Sequence, residues 1–219
     1  MDTSGQIDRL IADVLEIIPS LTRGRGRFSI TPESYEWQRE FLSVVDGQYL
    51  TAFKPDADLI LPLVRLVNQS ALAGVPPFDV SLETLSTVIG YVLLEMLIRR
   101  LTPAIDEWGY LVQPVKGLNP DRPVSGLKDV LRAFEETTPL HELRCDLQHL
   151  NSRMSSKELD RKGRPETLNL YDRIEKGRNL MLHGNLTHSF EGNLLVLLIN
   201  LIVLHVMRQE VGPRAGTVS

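Results

Sequence analysis

Apolar residues recur every three or four positions through most of the chain, which is the spacing of one buried face on an α-helix. In the first such run the apolar residues extend to Ile18, and Pro19 is expected to end the helix. No segment alternates apolar and polar residues convincingly with a period of two. The pattern therefore predicts an all-α fold, with helices over about residues 6–18, 32–45, 56–73, 81–101, 127–136, 139–154 and 166–183, and a last helix that begins near Glu191.

Glycine and proline interrupt this helical pattern at two places. The sequence Gly74-Val75-Pro76-Pro77 cannot continue a helix. It predicts a boundary between an N-terminal helical annex, residues 1–75, and a main helical bundle, residues 79–209. Residues 102–126 contain several prolines and are predicted to be a long loop, and residues 210–219 to be a flexible tail.

The segment Leu194–Met207 is the most apolar part of the chain, and its apolar side chains would occupy every face of a helix. It has 14 residues, fewer than the roughly 20 that a bilayer requires, and Asn200 and His205 interrupt it. We therefore expect a helix at the centre of a bundle and no membrane partner. The chain start lacks the regions of a signal peptide, and the single Cys145 cannot form an internal disulfide. Both features favour a cytoplasmic location.

Composition and charge narrow the possible partners. The 219 residues are 42% apolar and 24% charged, which is typical of a globular protein. The net charge of −4 argues against broad electrostatic capture of nucleic acid. Between Arg153 and Arg178, however, eight basic and five acidic residues give a local charge of +3. A phosphate-bearing partner would meet this region first, with Lys176 and Arg173 as candidate phosphate ligands. The alternative is a solvated face of mixed charge.

Several common catalytic motifs are missing from the sequence. It contains no phosphate-binding P-loop, no dinucleotide glycine fingerprint, no serine hydrolase elbow and no paired-cysteine zinc motif. His141, Cys145 and His149 lie on one helix face at spacings of four, but the outer two are about 12 Å apart along the helix axis. One metal ion would still need ligands from elsewhere. We therefore predict no metal site and no cofactor.

The most informative motif ends the predicted helix that precedes the apolar one. Its sequence, Arg178-Asn179-Leu180-Met181-Leu182-His183-Gly184, resembles the Arg-Asn-x-x-x-His signature of HEPN domains. These domains are helical bundles named for higher-eukaryote and prokaryote nucleotide binding. The resemblance covers roughly residues 79–209, where the helix around Tyr91–Leu97 looks like an early helix of the family. It does not cover residues 1–75.

The resemblance implies a function as well as a fold. Many HEPN proteins are metal-independent ribonucleases whose Arg and His line a cleft between two protomers. Carried to this chain, the implied catalytic residues are Arg178, Asn179 and His183, in a homodimer that acts on RNA or nucleotide. Such proteins serve in defence, stress or toxin–antitoxin systems, which implies an antitoxin or another protein as a further partner. Glu95 is a weaker candidate for a supporting role, and its alternative is an ion pair with Arg99 one turn on.

These residue types suit RNA cleavage. Histidine titrates near neutrality, so His183 can act as the general base or acid, and the Arg178 guanidinium can hold phosphate oxygens. In an ideal helix Asn179 and His183 share a face, whereas Arg178 is rotated by about 100° from Asn179. A complete site would therefore need a second protomer or a distorted helix end. Two alternatives remain: a non-catalytic HEPN-like module that binds nucleotide, RNA or protein, and a plain helical interaction protein.

Overall fold

The computed structural model describes residues 3–21, 32–72, 80–124, 126–159, 163–182 and 190–211. Within these residues the fold is a bundle of eight α-helices with a short antiparallel hairpin, so the predicted all-α class is confirmed. The helices are α1 Thr3–Leu21, α2 Pro32–Val45, α3 Ala57–Leu72, α4 Val80–Leu101, α5 Leu127–Thr137, α6 His141–Arg153, α7 Leu170–Leu182 and α8 Phe190–Val211. The strands are β1 Ser156–Leu159 and β2 Pro165–Leu168, and a 3-10 helix spans Thr51–Phe53.

Helix α8 lies at the centre of the bundle. Every residue from Leu194 to Met207 is buried, and α1, α3, α4, α6 and α7 all pack against this helix. The prediction of a central helix that begins near Glu191 is therefore confirmed. In the described part of the chain, Asn193–Val211 is one helix long and apolar enough to cross a membrane by length and composition. However, 78% of its apolar window is buried in the protein, as expected for a core helix.

The N-terminal helices belong to the same core as the rest of the bundle. α1 packs along α8, and α3 packs against both α4 and α8. One cluster of buried apolar side chains includes Ile7 of α1, Val64 of α3 and Leu197 of α8. The N-terminal segment thus contributes directly to the core around α8.

The end of α8 is anchored to this N-terminal segment. Glu210 accepts hydrogen bonds from the backbone N–H groups of Thr51 and Ala52, at 3.0 and 2.7 Å. Glu210 and Val211 are therefore helical, contrary to the predicted tail. The remainder of that tail, residues 212–219, lies outside the described residues.

Pro19 does not end α1, which continues to Leu21. Because proline has no N–H, the carbonyl of Leu15 loses its usual helical donor. Nη1 of Arg153 lies 3.4 Å from this oxygen, and the same guanidinium donates to both carboxylate oxygens of Glu16 at 2.8 and 3.0 Å. A side chain from α6 therefore replaces the missing backbone donor and allows the proline inside the last turn.

The hairpin between α6 and α7 was not predicted. Ser156 lies opposite Leu168, and Leu159 lies opposite Pro165. Gly163 has a φ of +74°, a left-handed conformation that favours glycine. Since residues 165–168 form β2, α7 starts at Leu170 rather than near Glu166. The hairpin stands directly before the helix that carries the candidate catalytic residues.

Candidate functional site

Arg178 lies four residues before the end of α7, on the face that packs into the core. Tyr171 and Ile174, seven and four residues earlier, share this face and are both buried. Arg178 is partly exposed, and no hydrogen bond or ion pair joins its side chain to any residue that the structure describes. Its guanidinium has five N–H donors in a fixed planar arrangement. These donors are available to an anionic ligand at the end of an otherwise apolar stripe.

Asn179 is exposed and is oriented by a carboxylate one turn earlier. Its Nδ2 donates to Oε1 of Glu175 at 3.3 Å. The other oxygen, Oε2, accepts the backbone N–H of Lys128 in the first turn of α5, at 3.1 Å. The N-cap of α5 is Gly126, which has no side chain to cap the helix. Glu175 therefore caps α5 and fixes Asn179 at the same time.

Sequence analysis did not find Glu175. Its only local signal is the spacing of four residues to Asn179 on one helix face. The N–H group that it caps belongs to Lys128, 47 residues away along the chain. A capping partner so distant leaves no pattern in the sequence around Glu175.

The contact between α5 and α7 contains two further polar pairs. The Lys128 ammonium is paired with Asp172, and the Tyr171 hydroxyl donates to Glu135. Burial of Tyr171, together with the charge of Glu135 and its hydrogen bond, raises the pKa of the phenol far above its ordinary value. Tyr171 therefore acts as a hydrogen-bond donor at neutral pH and not as an acid or base.

His183 lies outside the described residues. α7 ends at Leu182, the residue immediately before it. Two of the three candidate catalytic residues, Arg178 and Asn179, are thus located in the same helical turn, and the role of His183 remains a prediction from the motif.

The two candidate phosphate ligands have different surroundings. Arg173 is buried, and its Nη2 donates to Oγ of Ser156 at 2.7 Å and to Oε1 of Glu158 at 2.5 Å. This guanidinium holds the hairpin against α7, so its position does not suit phosphate binding. Lys176 is exposed and pairs with Glu166 at 3.0 Å. Since exposed ion pairs contribute little free energy, Lys176 can exchange this carboxylate for a phosphate.

Glu95 is engaged by its neighbour on α4. Nε and Nη2 of Arg99 lie 3.1 and 2.9 Å from Oε1 of Glu95, as the ion-pair alternative expected. No contact among the described residues joins Glu95 to Arg178. The Arg99 guanidinium also lies next to Gly109 in the loop after α4. Its Nη1 would be 3.8 Å from a Cβ atom added at Gly109.

The histidines and cysteine of α6 form a loose exposed group. His141 and Cys145 approach to 3.9 Å between Nδ1 and Sγ, and His149 is exposed one turn further on. Across the ranges that the structure describes, no group of three or more His, Cys, Asp or Glu side chains is arranged to hold a metal ion.

Comparison with known proteins does not extend this description. The chain has no significant match among protein-family models, curated proteins or solved structures. The fold class is that of an all-α bundle, and the residues at the end of α7 are the main guide to function.

Proposed function

We propose that the chain is a metal-independent endoribonuclease of HEPN type, with Arg178, Asn179 and His183 as its catalytic residues. One observation supports this proposal above the others. Arg178 places a guanidinium on an otherwise apolar helix face, partly exposed and without a pairing acid among the described residues. A guanidinium in this position can form two parallel hydrogen bonds to the oxygens of a phosphate.

The proposed reaction is attack of a ribose 2′-oxygen on the adjacent phosphorus. A bond forms between the 2′-oxygen and phosphorus, and the bond to the 5′-oxygen breaks, which leaves a 2′,3′-cyclic phosphate and a 5′-hydroxyl. His183 removes the 2′-hydroxyl proton or supplies the proton that the leaving oxygen takes up. Arg178 stabilises the negative charge that develops on the phosphate oxygens. Asn179, held by Glu175, orients the phosphate or the histidine.

A homodimer completes this proposal. Because Arg178 and Asn179 point about 100° apart on an ideal helix, one protomer does not direct both toward the same phosphate oxygen easily. A two-fold interface brings a second Arg178 and His183 to the site. The corresponding cellular setting is a cytoplasmic enzyme of defence, stress or a toxin–antitoxin pair, restrained by an antitoxin or another protein.

The test is cleavage of mixed RNA by purified protein in EDTA. Wild type is expected to produce 2′,3′-cyclic phosphate ends, and Arg178→Ala or His183→Ala to lower the rate by about 100-fold or more. Matched controls are Arg132→Ala on α5 and His149→Ala on α6, both exposed side chains of the same types. Circular dichroism checks that every variant is folded.

Two outcomes would overturn the proposal. One is a wild-type protein that leaves the RNA intact, and the other is equal cleavage by wild type and both site variants. An intact RNA that still binds the protein would favour the alternative of a non-catalytic RNA-binding module.

A further inference from the structure

The loop between α4 and α5 contains a turn, residues 106–110, that several hydrogen bonds hold in one conformation. Oδ1 of Asp106 accepts the backbone N–H groups of Trp108 and Tyr110 at 2.9 and 2.8 Å. The N–H of Asp106 donates in turn to the carbonyl of Tyr110 at 2.9 Å, and Gly109 closes the turn with a φ of +86°. These bonds fix the backbone of the turn without any contribution from its aromatic side chains.

The turn displays its large side chains to solvent. Trp108 is 75% exposed, Tyr110 is 44% exposed, and Val112 just after the turn is 63% exposed. The other tryptophan, Trp37, is only 4% exposed and donates from Nε1 to the carbonyl of Leu10 at 3.0 Å. A rigid backbone that holds an indole and a phenol ring in water is a typical feature of a binding surface.

A series of contacts connects the backbone of the turn with Asn179 of the candidate site. The N–H of Val124 donates to the carbonyl of Gly109 at 2.7 Å, which ties the turn to the segment that enters α5. Two residues later, a Cβ atom added at Gly126 would lie 4.0 Å from Oε1 of Glu175. That same oxygen holds Asn179. The aromatic turn is therefore connected to Asn179 through the segment that enters α5 and through Glu175.

The size of the surface favours a nucleic acid base over a protein. A stable protein interface uses about 20–30 residues on each side, whereas this turn offers two aromatic rings and one valine. The exposed residue before Trp108 is the charged Glu107, so the apolar surface is interrupted on that side of the turn. One or two aromatic rings are sufficient to stack unpaired bases, as in many proteins that bind single-stranded RNA.

We propose that Trp108 and Tyr110 form a stacking platform for unpaired bases of the RNA that is cut at Arg178. This inference rests on the proposed function and defines its substrate class as single-stranded RNA. The phosphates between the stacked base and the cut would pass Arg99, whose guanidinium lies beside Gly109. A duplex cannot use the platform, because its bases are already stacked and paired.

The experiment uses tryptophan emission from the full chain carrying His183→Ala, so that bound RNA is not cut. Trp108 reports on the platform, and the buried Trp37 serves as an internal reference. A short oligouridylate is expected to quench the emission, and a duplex RNA of equal length is not. Trp108→Ala should weaken oligouridylate binding by about tenfold, and Trp108→Phe should restore most of it. Tyr49→Ala, which removes an exposed aromatic side chain elsewhere, is the matched control.

The proposal fails if oligouridylate binds without a change in emission and with equal Kd in the Trp108→Ala variant. It also fails if Trp108→Ala disrupts self-association in sedimentation while RNA binding is unchanged, since the turn is then a protein contact. Cleavage assays separate this result from the fate of the ribonuclease. If wild type cleaves RNA and the Trp108→Ala variant has an unchanged KM, only the platform is contradicted. If RNA quenches the tryptophan emission but wild type does not cleave it, only the ribonuclease is contradicted.

Discussion

Two asparagine side chains meet in the apolar core of the bundle. Asn68 of α3 and Asn200 of α8 are fully buried, and each amide donates to the oxygen of the other at 2.8 and 2.7 Å. Nδ2 of Asn68 also donates to the carbonyl of Val64 at 2.8 Å. Because a buried amide without partners is costly, the reciprocal pair is satisfied in only one alignment of α3 against α8.

We expect Asn200→Leu to lower the free energy of unfolding by about 1–3 kcal/mol, because it leaves the Asn68 amide without its partner. The double variant Asn68→Leu with Asn200→Leu should lose less than the sum of the two single losses, since both amides are then removed. Urea denaturation of the four proteins measures this coupling. Strictly additive losses would show that the two amides do not act as a pair.

Tyr171 predicts a dependence of stability on alkaline pH. Below the ordinary tyrosine pKa of about 10, its phenol is protonated in both the folded and the unfolded chain. Above that pH the unfolded chain releases the proton, whereas the folded protein keeps it because burial and Glu135 raise the pKa of Tyr171. Unfolding is then favoured, so wild type should lose stability as the pH rises above about 10.

Tyr171→Phe tests this dependence. At pH 8 the variant is expected to be less stable than wild type by about 1 kcal/mol, because the hydrogen bond to Glu135 is lost. This difference in the free energy of unfolding should shrink above pH 10, because only wild type loses the stability that depends on the Tyr171 proton. Denaturation at several pH values measures the free energy of unfolding of wild type and variant. A difference that stays constant with pH would contradict the raised pKa of Tyr171.

At the scale of elements, Glu175 couples α5 to α7. We expect Glu175→Ala to lower the free energy of unfolding by about 1 kcal/mol, because the N-terminus of α5 loses its only side-chain acceptor at Lys128 among the described contacts. Hydrogen exchange at the Lys128 amide should become faster. Glu175→Gln keeps an acceptor oxygen and should lose less, and Glu107→Ala, at an exposed loop position, should leave the exchange of Lys128 unchanged. Equal exchange in all variants would show that the cap contributes nothing.

Helices that depend on local periodicity could be predicted from the sequence. α2 begins at Pro32 and α5 begins at Leu127, as predicted, because proline preference and apolar spacing act within one or two turns. Features that depend on distant partners could not. The hairpin is held by Arg173 against Glu158, and Pro19 is accommodated by Arg153 from a helix far along the chain. Neither contact leaves a periodic signal.

The candidate site shows the same division. Arg178 and Asn179 were predicted as site residues because a motif places them side by side near a helix end. Arg173 was interpreted as a phosphate ligand because a sequence shows charges but not their partners, and Glu158 neutralises it. Glu175 and Trp108 were missed, because a cap across two helices and the exposure of an aromatic side chain both depend on tertiary structure.

At the scale of the whole molecule, the charge distribution limits how RNA can bind. The net charge of −4 offers no general attraction, and Arg153 and Lys176 of the locally basic region are already paired with acids. RNA bound by the proposed ribonuclease would therefore rely on few phosphate contacts and on the proposed stacking. Fewer ion contacts give a shallower dependence of affinity on salt than a strongly basic protein shows.

The proposed site shared between two protomers predicts complementation between two inactive variants. If Arg178 of one protomer acts with His183 of the other, a mixed dimer of Arg178→Ala and His183→Ala keeps one site with both residues intact. Purified through two different tags, this mixed dimer is expected to cleave RNA at about half the wild-type rate, whereas each variant paired with itself stays inactive. An inactive mixed dimer would show that one Arg178 and one His183 from opposite protomers do not suffice, and a monomer in sedimentation would exclude the shared site altogether. Because the two substitutions lie on separate chains, recovered activity cannot come from either variant alone.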